Sequence, residues 1–241
     1  MIANAGNYPP AAHVHELLAG LHESQRERYA KITNPLRRDT WLKGRAFLVD
    51  ALAFRFGHCD PESIRSHPDG GVYLQNNPTY ISLSHSHHMF VISLSDTRIG
   101  VDIEYMKMRN LIRQDTGVFS ETENRYLGRL TESDRLVVFY TYWTLKEAAC
   151  KATRLPLLAC LQGVRFEMQN HSFQLPPSVS GETWYFLSAS IAANWRMALA
   201  MAGNGRPHRI EYRQWGADRQ WHRLKPDLQA YTPSAAPRRA Q

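Results

Sequence analysis

Cysteine and long apolar runs are both scarce in this sequence. The three cysteines, Cys59, Cys150 and Cys160, show no CxxC spacing, which argues against a disulfide framework and a structural zinc site. The most apolar stretch, residues 183–201, is interrupted by an asparagine and an arginine, so we expect no transmembrane helix. The first ten residues lack the charged and apolar regions of a signal peptide. We therefore expect a cytoplasmic protein.

Acidic residues are outnumbered by basic ones. The 241 residues include 29 Lys plus Arg and 22 Asp plus Glu, for a net charge of +7, and 43% of them are hydrophobic. This composition excludes a disordered chain and favours a polyanionic partner. Residues 26–45 and 205–241 carry most of the surplus, and either segment could be an anion site or only a solvated face. We favour an anion site in the first segment and a loosely ordered tail in the second.

The apolar spacing alternates between helical and strand-like patterns. Three- and four-residue spacing predicts helices over 11–31, 38–56 and about 131–154. Strand-like runs occur at 79–83, 89–94, 98–104, 164–168, 184–190 and 196–202, and we expect the first three to form an antiparallel meander. The pattern of helices and strands predicts an α+β fold with two similar halves.

We divide the chain accordingly into three parts. Residues 1–110 form an N-terminal lobe with the basic helix, 111–210 form a C-terminal lobe, and 211–241 form the basic tail.

Two acids share one face of the strand Gly100-Val101-Asp102-Ile103-Glu104. Because strand side chains alternate, Asp102 and Glu104 lie on the face opposite to the apolar residues. Their side chains leave the strand roughly 6.5–7 Å apart, so both carboxylates can reach one magnesium ion. The alternative is an ordinary solvated strand face.

A helix at 143–151 adds a third acid and a lysine. Glu147 and Lys151 are one helical turn apart, so they could form a simple exposed ion pair. They also suit phosphate chemistry, with Glu147 as metal ligand or base and Lys151 neutralising a leaving phosphate. Upstream, Ser120 and Glu123 fit a capping box at a helix start.

In order and spacing, four segments resemble the Sfp-type 4′-phosphopantetheinyl transferases. They are the turn Leu83-Ser84-His85-Ser86, the strand Gly100 to Glu104, the element Phe119-Ser120-Glu121-Thr122-Glu123 and the W-[ST]-x-K-E-x-x-x-K helix from Trp143 to Lys151. The basic helix with Arg28, Arg38 and Arg45 matches more weakly. The Gly-Lys-Pro element that family members often carry is absent, so the resemblance assigns no adenine contacts.

The resemblance implies transfer of 4′-phosphopantetheine from coenzyme A to a serine of apo acyl or peptidyl carrier proteins. These carriers serve fatty-acid, polyketide or nonribosomal-peptide biosynthesis, and the resemblance does not choose among them. It also implies a monomer of two similar α/β lobes related by a pseudo-twofold, with the active site between them.

The resemblance also assigns roles to individual residues. Asp102, Glu104 and Glu147 would hold Mg²⁺, Glu147 and Lys151 would be catalytic, and Glu123 is a possible further site residue. The residues implied in coenzyme A binding are Arg28, Arg38, Arg45, Ser84, His85 and Lys151.

Two other functions remain open on the sequence alone. A magnesium-dependent nuclease also combines paired acids, a lysine and a basic surface. A nucleic-acid-binding protein would use the basic tail, although we find no RNA- or DNA-binding motif.

Overall fold

The computed structural model describes residues 1–7, 14–68, 70–108, 117–179, 181–203 and 210–234. The chain forms two compact units, Met1–Thr97 with Arg209–Lys225 and Arg98–His208 with Pro226–Gln241. The expected lobe boundary at residue 110 lies outside the described residues. The strand carrying Asp102 and Glu104, which we assigned to the N-terminal lobe, belongs to the second unit.

Six α-helices lie in the described part of the chain. They are α1 (Val14–Gly20), α2 (Glu23–Lys31), α3 (Pro35–Phe56), α4 (Glu121–Gly128), α5 (Glu132–Thr153) and α6 (Leu157–Gly163). Pro35 begins α3 because a helix tolerates proline in its first turn, and the Asn34 side chain accepts a hydrogen bond from the Arg37 amide. None of the helices described is long and apolar enough to cross a membrane.

The strands belong to two sheets. They are β1 (Ile2–Asn4), β2 (Ile64–Ser66), β3 (Val72–Leu74), β4 (Tyr80–Ser86), β5 (Met89–Ser95), β6 (Ile99–Tyr105), β7 (Arg165–Glu167), β8 (Ser172–Gln174), β9 (Trp184–Ala192), β10 (Trp195–Ala202), β11 (Tyr212–Trp215), β12 (Trp221–Leu224) and β13 (Asp227–Pro233). The order is β12-β11-β1-β5-β4-β3-β2 in the first unit and β6-β10-β9-β13-β8-β7 in the second. The predicted α+β class is confirmed, while the pseudo-twofold and a site between the lobes stay predictions.

Two expectations about the strands are wrong. β4 and β5 form the expected hairpin, but β6 leaves the meander and pairs with β10 in the other sheet, where Asp102 lies opposite Ala198. The expected loose tail contains β11, β12 and β13. These strands are ordered by pairing, β11 with β1 and β12, and β13 with β9, and Tyr231 of β13 is 4% exposed.

Helix α5 packs against β6 at Gly100. A Cβ built on Gly100 would collide with the Ala148 carbonyl oxygen and lie 2.6 Å from the Ala152 amide nitrogen. Because glycine has no Cβ, the helix backbone can approach the strand directly. Gly100 shares its strand face with Asp102 and Glu104, so that face is turned towards α5.

A buried ion pair joins α5 to α4. Lys146 Nζ lies 3.0 Å from Glu123 Oε2, and the two side chains are 0% and 1% exposed. Lys146 also donates to the carbonyl oxygens of Leu161 and Val164, both at 2.6 Å. Burial lowers the pKa of Lys146, and the Glu123 carboxylate opposes this effect. The pair therefore anchors the helix that carries Glu147 and Lys151.

Removing one partner of this pair should destabilise the second unit. In Glu123→Leu the Lys146 ammonium is buried without its carboxylate, so we expect a loss of about 3–5 kcal/mol in the free energy of unfolding. Adding Lys146→Met should restore most of it. Urea denaturation followed by circular dichroism measures both values.

The matched control is Glu121→Ala, which removes the exposed ion pair with Arg125 on the same helix and should cost less than about 1 kcal/mol. A loss no larger in Glu123→Leu than in this control would show that the buried pair contributes little stability.

Candidate active site

Asp102 and Lys151 form the centre of the charged cluster in the second unit. Lys151 Nζ donates to Asp102 Oδ1 at 2.7 Å and to the Val101 carbonyl oxygen at 3.1 Å. The Asp102 side chain is 6% exposed and that of Lys151 is 30% exposed. The alternative of a solvated strand face is therefore wrong for Asp102, which α5 covers.

Glu147 lies one turn before Lys151 on α5, and the charges of Asp102 and Glu104 on the strand both affect its pKa. Its pKa is raised, chiefly by burial and then by the negative charges of Asp102 and Glu104, while Lys151 partly offsets them. The structure thus places the four predicted residues in one electrostatic cluster. A carboxylate with a raised pKa can accept a proton more readily than an ordinary glutamate.

The three predicted magnesium ligands, Asp102, Glu104 and Glu147, do not form a compact metal-binding group in the described residues. In the described ranges, no three His, Cys, Asp or Glu side chains lie close enough to form a metal-binding group. The donor chemistry nevertheless fits, because Asp102, Glu104 and Glu147 all offer carboxylate oxygens, the ligands that magnesium prefers. Burial is the main cause of the raised pKa of Glu147, and the charges of Asp102 and Glu104 add to it.

Glu123, the possible further site residue, has structural partners on both oxygens. Oε2 accepts from the Ser120 amide at 2.7 Å, and Oε1 accepts from the Phe166 amide at 3.0 Å. The capping box is confirmed, since the Ser120 hydroxyl also accepts from the Glu123 amide. Through these contacts and the ion pair with Lys146, Glu123 joins α4, α5 and β7.

A basic cavity lies in the first unit. It has a volume of about 430 Å³ and is lined by Lys31, Ile32, Thr33, Asn34, Arg37, Thr40, Trp41 and His85. Two cations, several polar side chains and one indole therefore face the same space, a combination that suits a phosphorylated ligand.

Among the residues predicted to bind coenzyme A in this unit, His85 lines the cavity. Ser84 does not, because strand alternation turns it to the opposite face of β4, where it is 7% exposed.

The three predicted arginines of this unit do not line the cavity either, because each contacts the protein itself. Arg38 donates through Nε to the Ile32 carbonyl oxygen at 2.5 Å and so caps α2. Arg28 lies against Gly70, where an added Cβ would be 2.9 Å from its Nη2.

Arg45 is 4% exposed and donates through Nε to Gln25 Oε1 at 2.6 Å. Burial, followed by the charge of Arg28, lowers the pKa of Arg45 to about 9. A cation so deeply enclosed is a structural residue in this conformation.

Lys31 and Arg37 belong to the basic segment 26–45, for which we favoured an anion site, but neither they nor Trp41 were among the individual residues predicted to bind coenzyme A. Lys31 ends α2 and Arg37 lies in the first turn of α3, so both flank the break at Pro35. Side chains at such a break are less covered by helix packing, and both residues are exposed. Their positions on either side of Pro35 could therefore have identified Lys31 and Arg37 as exposed cations, but the family motifs do not include these positions.

Comparison with known proteins identifies the region around this charged cluster. Residues 98–201 match the family model of the 4′-phosphopantetheinyl transferase superfamily. The chain is 32% identical over 117 residues to the 4′-phosphopantetheinyl transferase AcpT of Escherichia coli O157:H7, covering 48% of this chain and 57% of that protein.

Two further relatives match longer stretches. The 4′-phosphopantetheinyl transferase HetI of a Nostoc strain is 28% identical over 155 residues, which cover 60% of this chain and 64% of the relative. A phosphopantetheinyl transferase of a Thraustochytrium strain is 27% identical over 188 residues, covering 71% and 63%. The chain thus spans less than two thirds of each of these three relatives. Within residues 98–201 it is similar to the 4′-phosphopantetheinyl transferase superfamily, the family that its motifs resemble.

Proposed function

We propose that the protein transfers 4′-phosphopantetheine from coenzyme A to a serine hydroxyl of an apo acyl or peptidyl carrier protein. The products are the holo carrier protein and adenosine 3′,5′-bisphosphate. The observation that carries the proposal is the Asp102, Glu147 and Lys151 cluster inside the segment that matches the transferase superfamily.

The cluster has the groups that this displacement needs. The serine oxygen forms a bond to the phosphorus of the phosphopantetheine group, and the bond from that phosphorus to the bridging oxygen of the pyrophosphate breaks. Glu147, which lies one helical turn before Lys151, accepts the serine proton. Lys151 is held beside the acids by Asp102 and neutralises charge on the departing bisphosphate.

Magnesium belongs to the proposal through Asp102, Glu104 and Glu147. When bound, the ion supplies positive charge that stabilises the pyrophosphate oxygens. A bound ion would also offset the negative charges of Asp102 and Glu104, which add to the effect of burial in raising the pKa of Glu147.

The cavity of the first unit is the proposed site for phosphate groups of coenzyme A. Lys31, Arg37 and His85 line it and can donate hydrogen bonds to phosphate oxygens. In this proposal Lys31 and Arg37 replace the predicted Arg38 and Arg45. The nuclease and nucleic-acid alternatives gain no support from the family model or the relatives described above, so we do not carry them further.

The transfer can be measured by incubating the protein with coenzyme A, magnesium and an apo carrier protein. Intact-mass spectrometry should show a gain of one phosphopantetheine group on the carrier. Asp102→Asn and Glu147→Gln keep the side-chain shapes but remove the charges, so each should lower the rate at least about 100-fold. Glu121→Gln, on the exposed face of α4, should transfer at the parental rate. Full activity in both site variants would refute the assignment.

The same Glu147→Gln variant should be more stable than the parent at neutral pH. Because the folded pKa of Glu147 is raised above 4.5, ionising this carboxylate opposes folding, and stability falls as pH rises through that window. We expect a melting temperature a few degrees higher in the variant at pH 7 without divalent ions. The difference should shrink towards zero below about pH 4.5, where both side chains are neutral.

Magnesium provides the second arm of this melting experiment. It should raise the melting temperature of the parent and have less effect on Glu147→Gln, because a ligand that binds only the folded state stabilises it. A melting temperature of Glu147→Gln below that of the parent at pH 7 would contradict the electrostatic account. If magnesium raised the melting temperatures of both proteins equally, Glu147 would not be a magnesium ligand.

A further inference from the structure

Trp41 has the largest aromatic ring among the described residues that line the first-unit cavity, which also include the imidazole of His85. It lies on α3, one turn after Arg37 and one turn before Arg45. Its neighbours in the lining are cationic or polar, apart from Ile32. An indole in such a setting offers a flat apolar face beside groups that bind phosphate.

The indole is held in place by a chain of buried polar contacts. The Arg45 guanidinium carbon lies 4.4 Å from the centre of the Trp41 ring, and the Tyr29 ring centre is 5.7 Å away. Arg45 is fixed by Gln25, which is 0% exposed and donates to Ser66 Oγ at 2.7 Å. A desolvated cation is attracted to the face of an aromatic ring, so Arg45 restrains the indole.

This arrangement gives Arg45 a different role from phosphate binding. Its Nε is engaged with Gln25, its planar group lies over the indole, and only 4% of its surface is exposed. The exposed cations that line the cavity are Lys31 and Arg37. Phosphate recognition and ring positioning are thus divided between different basic residues.

We propose that Trp41 forms the wall against which the adenine base of coenzyme A stacks, and that Arg45 is its positioning residue. The inference rests on the proposed function for the identity of the ligand. Its physical basis is the combination of phosphate-binding cations with an indole, because every nucleobase has a flat face that stacks on an aromatic ring. The indole would supply base contacts that the absent Gly-Lys-Pro element does not.

The test separates binding of the base from binding of phosphate. Isothermal titration would measure the affinity of the full chain for adenosine 3′,5′-bisphosphate and for pyrophosphate, which has no base. Stacking is worth about 1–3 kcal/mol per base, so Trp41→Ala should weaken nucleotide binding between about 5-fold and 150-fold. Pyrophosphate binding should stay within about twofold, and Trp41→Phe should retain most of the nucleotide affinity.

Arg45→Lys provides the test of positioning. Lysine keeps the charge but loses the planar group over the indole, so nucleotide affinity should fall while pyrophosphate affinity does not. An equal loss for both ligands would instead make Arg45 a phosphate contact. Thermal melting of each variant excludes unfolding as the cause, and Trp41→Phe serves as the variant that preserves packing.

Three results would overturn the inference. They are unchanged nucleotide binding in Trp41→Ala, an equal loss of pyrophosphate affinity in that variant, and failure of the parent to bind the nucleotide. The transfer assay on the parent distinguishes the two proposals. If the parent transfers the group and Trp41→Ala binds the nucleotide as tightly as the parent, only the role of Trp41 is refuted. If the parent transfers nothing, the proposed function itself is refuted.

Discussion

The contact of α5 with β6 at Gly100 is the constraint on which the charged cluster depends. With any side chain at this position, the backbone of Ala148 could not lie where it does. The close approach brings Lys151 within hydrogen-bonding distance of Asp102, two residues along the strand. The buried pair of Glu123 and Lys146 then fixes the same helix from another side. Electrostatics at the site therefore follows from backbone packing at a glycine.

Identical residue types take different roles in this protein according to their enclosure. Lys146 is fully buried and fixes three elements, whereas Lys151, five residues later on the same helix, is partly exposed and faces the acids. Arg45 and Arg37 differ in the same way on α3. A buried cation must satisfy its hydrogen bonds with fixed protein partners, and only an accessible one is available to a diffusing ligand.

Local patterns predicted much of this protein correctly. The capping box at Ser120, the long helix ending at Thr153 and the placement of Asp102 opposite the apolar strand face all depend on neighbours in sequence. The sheet to which β6 belongs could not be predicted, because its partner β10 lies about ninety residues further along the chain and competes with the adjacent β5. The roles of Arg38 and Arg45 were likewise hidden, since basic residues at helical spacing do not reveal which carbonyl or amide they meet.

The pairing of β1 with β11 has a consequence for how the chain reaches its fold. Ile2 lies beside Gln214 in a parallel pair, so residues more than two hundred positions apart in the sequence must meet as neighbours. In the second unit β13, which follows β12 after two residues, is an interior strand of the sheet. Contacts between such distant segments are slow to form because the chain entropy is lost before they stabilise anything. Neither sheet can be completed until strands distant in sequence have met, and until then unpaired strand edges are exposed to chaperones or to aggregation.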